Sequence, residues 1–304
     1  MIPMRDDVRL ATDVYRPADQ DGNLIDGQFP VILGRTSYDK SNPVIWVNPV
    51  ARFFVSHGYV VLLQDLRGRG LSEGTGQYHH TANQLEGPDG YDTIEWAAAQ
   101  PWCNGKIGTT GTSYAGWTQN ALAVQNPPHL SCMWVNEAAS NGYTNTLRQG
   151  GALELRFLTW LYWHSAINTN AELKRDPAVA RALDGVDTRE LLRHMPIKRG
   201  QTPLALAPSY ERRAFDLLTQ GDYGELWKDP SINFELHWDK FADVPAVFSS
   251  SWYDSYTRAN LENYVGLSQR KKGPYRLVMG PWTHGDVSMG YTYSGGVDLG
   301  AEAA

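Results

Sequence analysis

The segment KIGTTGTS (106–113) runs directly into YAGWTQNALAVQ (114–125), with only small residues at the joint. The first reads as a strand and the second as a helix. A strand that passes into a helix without a loop must bend hard, and the residues two before and two after the bend then face each other. Around Ser113 these are Gly111 and Ala115, with Gly116 one step later. Such a bend pushes the serine hydroxyl out at the carboxyl end of the strand. It leaves the next backbone N–H, that of Tyr114, at a helix start where it can stabilise an oxyanion. An incidental serine in a small-residue turn would give the same G-x-S-x-A pentapeptide, so the pattern needs partners before it means catalysis.

The rest of the chain repeats the alternation. VRLATDVYRP (8–17), PVILGRTSY (30–38) and YVVLLQDLRGRG (59–70) read as strands, whereas ARFFVSHGY (51–59) and DGYDTIEWAAAQ (89–100) read as helices. Continuous apolar strands separated by helices imply an α/β class, with a mostly parallel sheet covered on both faces. The pattern changes after Ser140. Residues 141–240 are rich in helix formers and carry Pro196, Pro203, Pro208 and Pro230. Strand character returns in VPAVFSSSWYD (244–254) and YRLVMGPWTH (275–284). The division expected is a core in two parts, 1–140 and 241–304, with a helical cap inserted at 141–240. A separate helical domain is the alternative. Insertions of this kind cover active sites and shape access to them.

Composition narrows the function classes. A formal net charge of −6 disfavours a nucleic-acid partner, whose phosphates need a basic surface. No apolar run reaches membrane-spanning length, and the start, MIPMRDDVRLATDVYRP, has no apolar signal core, so a cytoplasmic protein is expected. Two cysteines, Cys103 and Cys132, make neither a disulfide framework nor a zinc site. Eleven Trp and 16 Tyr favour a cleft walled by flat rings, although most such rings are core.

A serine nucleophile needs a base and an orienting acid. His57, His164, His194 and His237 lie in or beside helical segments. His79 and His80 precede the serine, and His129 follows a proline pair. His284, in GPWTHGD, sits just beyond a late apolar strand, and Asp254 ends the strand before it. Position alone therefore gives the order Ser113, Asp254, His284. Asp286 is the competing acid, poorly placed two residues after the histidine.

Several segments together resemble the cocaine esterase and X-Pro dipeptidyl-peptidase (CocE/NonD) family of serine hydrolases. They are MRDDVRLATDVYRP, RTSYDK, QDLRGRGLSEG, DGYDTIEWAAAQPWCNGKIG, TGTSYAG, WYD and GPWTHG, in this order and spanning nearly the full length. The resemblance implies an α/β-hydrolase fold. It also implies Ser113 as nucleophile, His284 as general base and Asp254 as its partner. Tyr38 would donate its phenol O–H to the oxyanion beside the Tyr114 N–H. Trp117, Trp160, Trp163, Trp252 and Trp282 are candidate pocket walls. Asp65, Arg67 and Arg69 are expected to pin loops through ion pairs, and Asp89 and Asp92 to cap the following helix.

The chain departs from the family pattern in two places. Ser251 stands where the family has a glycine before WYD. GGVDLGAEAA (295–304) ends where the family continues into a β-sandwich of the jelly-roll type, so an exposed apolar face and a homo-oligomer are expected. The expected activity is hydrolysis of a small-molecule ester or amide through an acyl-enzyme, without metal or organic cofactor. The alternatives are an X-Pro dipeptidyl-peptidase or amino-acid ester hydrolase, for which Glu154 or Glu137 could grip a free amine, and a catalytically silent module or inactive fragment.

Overall fold

The computed structural model describes residues 1–75, 85–161, 176–285 and 290–303. Seven strands form one sheet: β1 (Thr12–Tyr15), β2 (Phe29–Thr36), β3 (Val60–Asp65), β4 (Cys103–Thr112), β5 (Leu130–Asn136), β6 (Ala246–Tyr253) and β7 (Tyr275–Thr283). Their spatial order is β7-β6-β5-β4-β2-β3-β1. All neighbours run parallel except the edge strand β1, which pairs antiparallel with β3. Every residue of β3 is buried, and β2 is buried from Val31 onward, as continuous apolar runs require when helices lie on both faces.

The chain steps outward from β2 to β3, then returns to place β4 on the other side of β2. This reversal opens a crevice beyond the carboxyl ends of β2 and β4, the usual ligand position in such sheets. Ser113 follows β4 directly and Tyr38 lies two residues past β2. Asp254 and His284 follow β6 and β7 directly, so all four candidates stand on one rim.

Helix α1 (Glu86–Ala98) and helix α2 (Tyr114–Val124) pack closely through glycine. A Cβ at Gly87 would lie 2.6 Å from the Ala121 carbonyl oxygen. Every residue of α2 is buried, and Trp117 and Leu122 join Leu33, Leu62, Ile107 and Phe248 in the main core. Helix α3 (Thr257–Ser268) follows the Asp254 turn.

Between β5 and β6, none of the described strands joins this sheet. The segment contains short helices, among them Pro177–Asp184 and Pro208–Thr219, and is tied to the core by polar contacts. The Ala242 N–H donates to the Ala123 carbonyl oxygen of α2 at 2.9 Å, and Asn263 Nδ2 of α3 donates to the Ala139 carbonyl oxygen at 2.8 Å. Among the described residues, no helix is long and apolar enough to cross a membrane.

Three local expectations are corrected. The strand LSCMWVN, unassigned from the sequence, is buried on one side only: Cys132 and Trp134 are exposed while Met133 and Val135 are buried. The helix expected at 51–59 starts earlier, at Pro43, where the Asn42 side chain accepts from the Val44 and Ile45 N–H groups. Asp89 and Asp92 are not caps, since α1 begins at Glu86. Instead, both oxygens of Asp89 accept from Arg67, at 3.0 and 2.7 Å, and Asp92 holds Arg5. Among the described residues, Thr110, Trp134, Val247 and Arg276 lie side by side in register across four strands, with Trp134 half exposed.

Candidate active site

Ser113 is held at φ 63°, ψ −121°, a conformation that non-glycine residues adopt only under constraint. Its neighbours supply that constraint. A Cβ on Gly111 would lie 2.6 Å from the Ala115 Cβ, and one on Gly116 would lie 2.6 Å from the Asn136 carbonyl oxygen. The Ser113 N–H donates to that same Asn136 oxygen at 3.0 Å. Asn136 also donates to Thr112 Oγ1 and accepts from Ser249 Oγ, which ties together the ends of β4, β5 and β6.

The structure brings Ser113, His284 and Asp254 together. His284 Nε2 lies 2.9 Å from Ser113 Oγ, and its Nδ1 lies 3.0 Å from Asp254 Oδ1. The Asp254 carboxylate is fully buried, while the imidazole is about one-third exposed. The Tyr256 ring packs beside the imidazole at 5.3 Å between centroids.

Tyr38 closes the other side. Its phenol is in hydrogen-bond contact with Ser113 and Trp160, and burial pushes its pKa up against the lowering effect of those contacts. Its loop is fastened from below, where Asp65 accepts from the Lys40 and Leu71 N–H groups at 2.8 and 3.1 Å. The Tyr114 ring meets Tyr38 edge-on and stacks on Trp160. Glu86 is buried, and burial pushes its pKa up to about 7.

A fourth side chain escaped the sequence reading in this role. Glu137, directly after β5, lies with Oε2 3.3 Å from His284 Nδ1. It accepts from Ser251 Oγ, so the serine standing in the family's glycine position carries a partner for it. Two carboxylate oxygens, of Glu137 and Asp254, and the His284 ring nitrogen lie within 4.8 Å of one another. His284 Nδ1 is already hydrogen-bonded to Asp254, so a cation would have to displace its proton.

The family of X-Pro dipeptidyl-peptidases, S15, matches residues 6–286. The chain belongs to the S15 family. It is 33% identical over 296 residues to cocaine esterase of Rhodococcus sp. (strain MB1 Bresler), covering 95% of this chain and 49% of that protein. An aminopeptidase from a marine sediment Thaumarchaeota archaeon superposes with a TM-score of 0.69 at 22% identity, over 94% of this chain and 48% of that one. An α-amino acid ester hydrolase gives a TM-score of 0.66 at 22% identity, over 96% and 48%. These likenesses show the α/β-hydrolase fold. The chain spans about half the length of the curated relatives it matches.

In this S15 chain the remaining candidates separate. Trp117 is no pocket wall: it is fully buried, its Nε1 donates to the Ser231 carbonyl at 2.5 Å, and Phe234 packs against it edge-on. Trp160 does stand beside Tyr38 and Tyr114. Trp252 is largely exposed and Trp282 half-buried. Among the described residues, no ring or hydrogen-bond contact joins either to Ser113, Asp254 or His284. Trp163 and Asp286 lie outside the described residues, as do His79, His80 and His164. Glu137 is buried on the Nδ1 side of His284, away from Ser113. Glu154 accepts from Gln149 Nε2 and Arg156 Nε, both at 2.6 Å. Arg67 bridges Asp6 and Asp89, and Arg69 lies over the Tyr210 ring.

Proposed function

We propose that this chain is a serine hydrolase that cleaves a small carboxylic ester or amide through an acyl-enzyme. The observation that carries the reading is the run of contacts from Ser113 Oγ to His284 Nε2 at 2.9 Å, and from His284 Nδ1 to the buried Asp254 at 3.0 Å. Ser113 Oγ attacks the carbonyl carbon as its proton passes to Nε2. Asp254 fixes the tautomer and stabilises the imidazolium. The Tyr38 O–H and the Tyr114 N–H receive the developing oxyanion. The imidazolium then protonates the leaving group, and water attacks the acyl-enzyme with His284 again as base.

Esters are favoured over peptides with a free amino terminus, because neither Glu137 nor Glu154 is available to hold an ammonium. The relation to a cocaine esterase supports the same choice. Residues 141–240 are read as a cap, a reading supported by Trp160, which reaches from that segment to Tyr38. The test is twofold. A fluorophosphonate should label the protein at Ser113. In a panel of acyl esters, amino-acid esters and X-Pro anilides, the acyl esters should turn over fastest. An unlabelled Ser113 would reject the hydrolase, and preferred X-Pro anilides would reject the esterase.

A further inference from the structure

Glu137 is not used in the reaction drawn above, yet it touches the imidazole that is. Its backbone is held at φ 48° and its side chain is fully buried. Ser251 Oγ donates to Oε1, the Gly285 N–H donates to Oε2 at 2.5 Å, and the same Oε2 lies 3.3 Å from His284 Nδ1. Asp254 Oδ1 approaches that nitrogen at 3.0 Å, so one N–H faces two carboxylates. Among the described residues, the charged or titratable groups facing Glu137 are Asp254, from the turn after β6, and His284, beyond β7. Two buried carboxylates side by side are costly unless a positive charge forms between them.

We propose that Glu137 is a second acidic partner of His284, a positioning residue that joins Asp254 in neutralising the imidazolium formed during acylation. This rests on the Ser113–His284–Asp254 reading. In the step itself, the Ser113 proton moves to Nε2 while Oγ bonds the carbonyl carbon. Nδ1 keeps its proton throughout, and Glu137 neither gains nor loses one. All three of its neighbours act as donors, which suits the carboxylate. Burial opposes this most strongly and the nearby Asp254 adds to it, so the Glu137 pKa is pushed up to about 7. Below neutrality the second charge is therefore lost, and catalysis falls back to what Asp254 alone supports.

The test is the pH dependence of the ratio of kcat for the parent and for Glu137→Gln, which keeps the shape and one acceptor oxygen. The ratio should rise from near one at about pH 5.5 to about ten at about pH 8.5, with KM unchanged. A ratio constant with pH, as a purely structural role would give, overturns the proposal. If the glutamine variant does not fold, Ser251→Ala serves instead. Loss of a donor to the carboxylate should move the midpoint of the rise in kcat about one unit to higher pH, and an unmoved midpoint overturns the proposal equally. Ser113→Ala, assayed alongside, separates the two readings: if it is inactive while the ratio is flat, only the role of Glu137 fails. If it is active, the triad reading itself fails.

Discussion

Ser113 Oγ and His284 Nε2 stand 2.9 Å apart although 171 residues separate them in the chain. The contact joins the ends of β4 and β7, between which β5 and β6 lie in the sheet. If it is the proton-transfer contact, Ser113→Ala and His284→Ala should each lower kcat for a p-nitrophenyl ester by about 10⁴-fold or more. The folded fraction, followed by circular dichroism, should stay unchanged. Activity within tenfold of the parent in either variant would remove that residue from the mechanism.

Tyr38 offers a narrower test, because Tyr38→Phe removes a single oxygen. Loss of one oxyanion donor should cost about 10²–10³ in kcat with little change in KM. A rise in KM at constant kcat would instead make Tyr38 a substrate-binding ring.

Trp117 separates core from pocket. Trp117→Ala should destabilise the fold by about 3–5 kcal/mol in urea titration, since it removes a fully buried ring and orphans the Ser231 carbonyl. The order of preference among acyl esters should survive. Trp160→Ala should do the reverse, disturbing KM more than stability.

Glu86 gives a stability prediction with a definite sign. Its folded pKa, about 7, lies above the ordinary carboxyl value, so between about pH 4.5 and 7 the native state holds a proton that the unfolded chain releases. Stability should fall as pH rises through that window and level off above it. Glu86→Gln should flatten the fall, read as the difference in urea midpoint between about pH 5 and pH 8. An unchanged slope would show that Glu86 is ionised in the fold.

The open row Thr110, Trp134, Val247 and Arg276 gives the last expectation. An exposed, partly apolar sheet face favours self-association. Light scattering should report a mass above that of one chain, and Trp134→Lys together with Val247→Lys should reduce it. A parent that scatters as a single chain would refute this.

The local frame is legible from residue order alone. Apolar runs separated by helical periods dictate a parallel sheet, because strands buried on both faces and helices between them have few other ways to hide their apolar surface. Gly111 and Ala115 dictate the bend at Ser113, because side chains two residues to either side of it would collide. Position along the chain singles out His284 among eight histidines, and in the fold His284 lies against Ser113. Which distant side chains share one rim of the sheet, by contrast, depends on the order in which the strands pack. The strand LSCMWVN carries only the short apolar run CMWV, which by periodicity fits a strand or a buried helix equally, and Glu137, just after it, approaches His284 because β5 lies next to β6. Trp117, Asp89 and Asp92 also kept their roles hidden, since nothing in one dimension says whether a ring faces a cleft or a core, or which arginine a carboxylate will meet. Burial and pairing belong to surfaces that come together in folding, whereas turns and periods belong to neighbours in the chain.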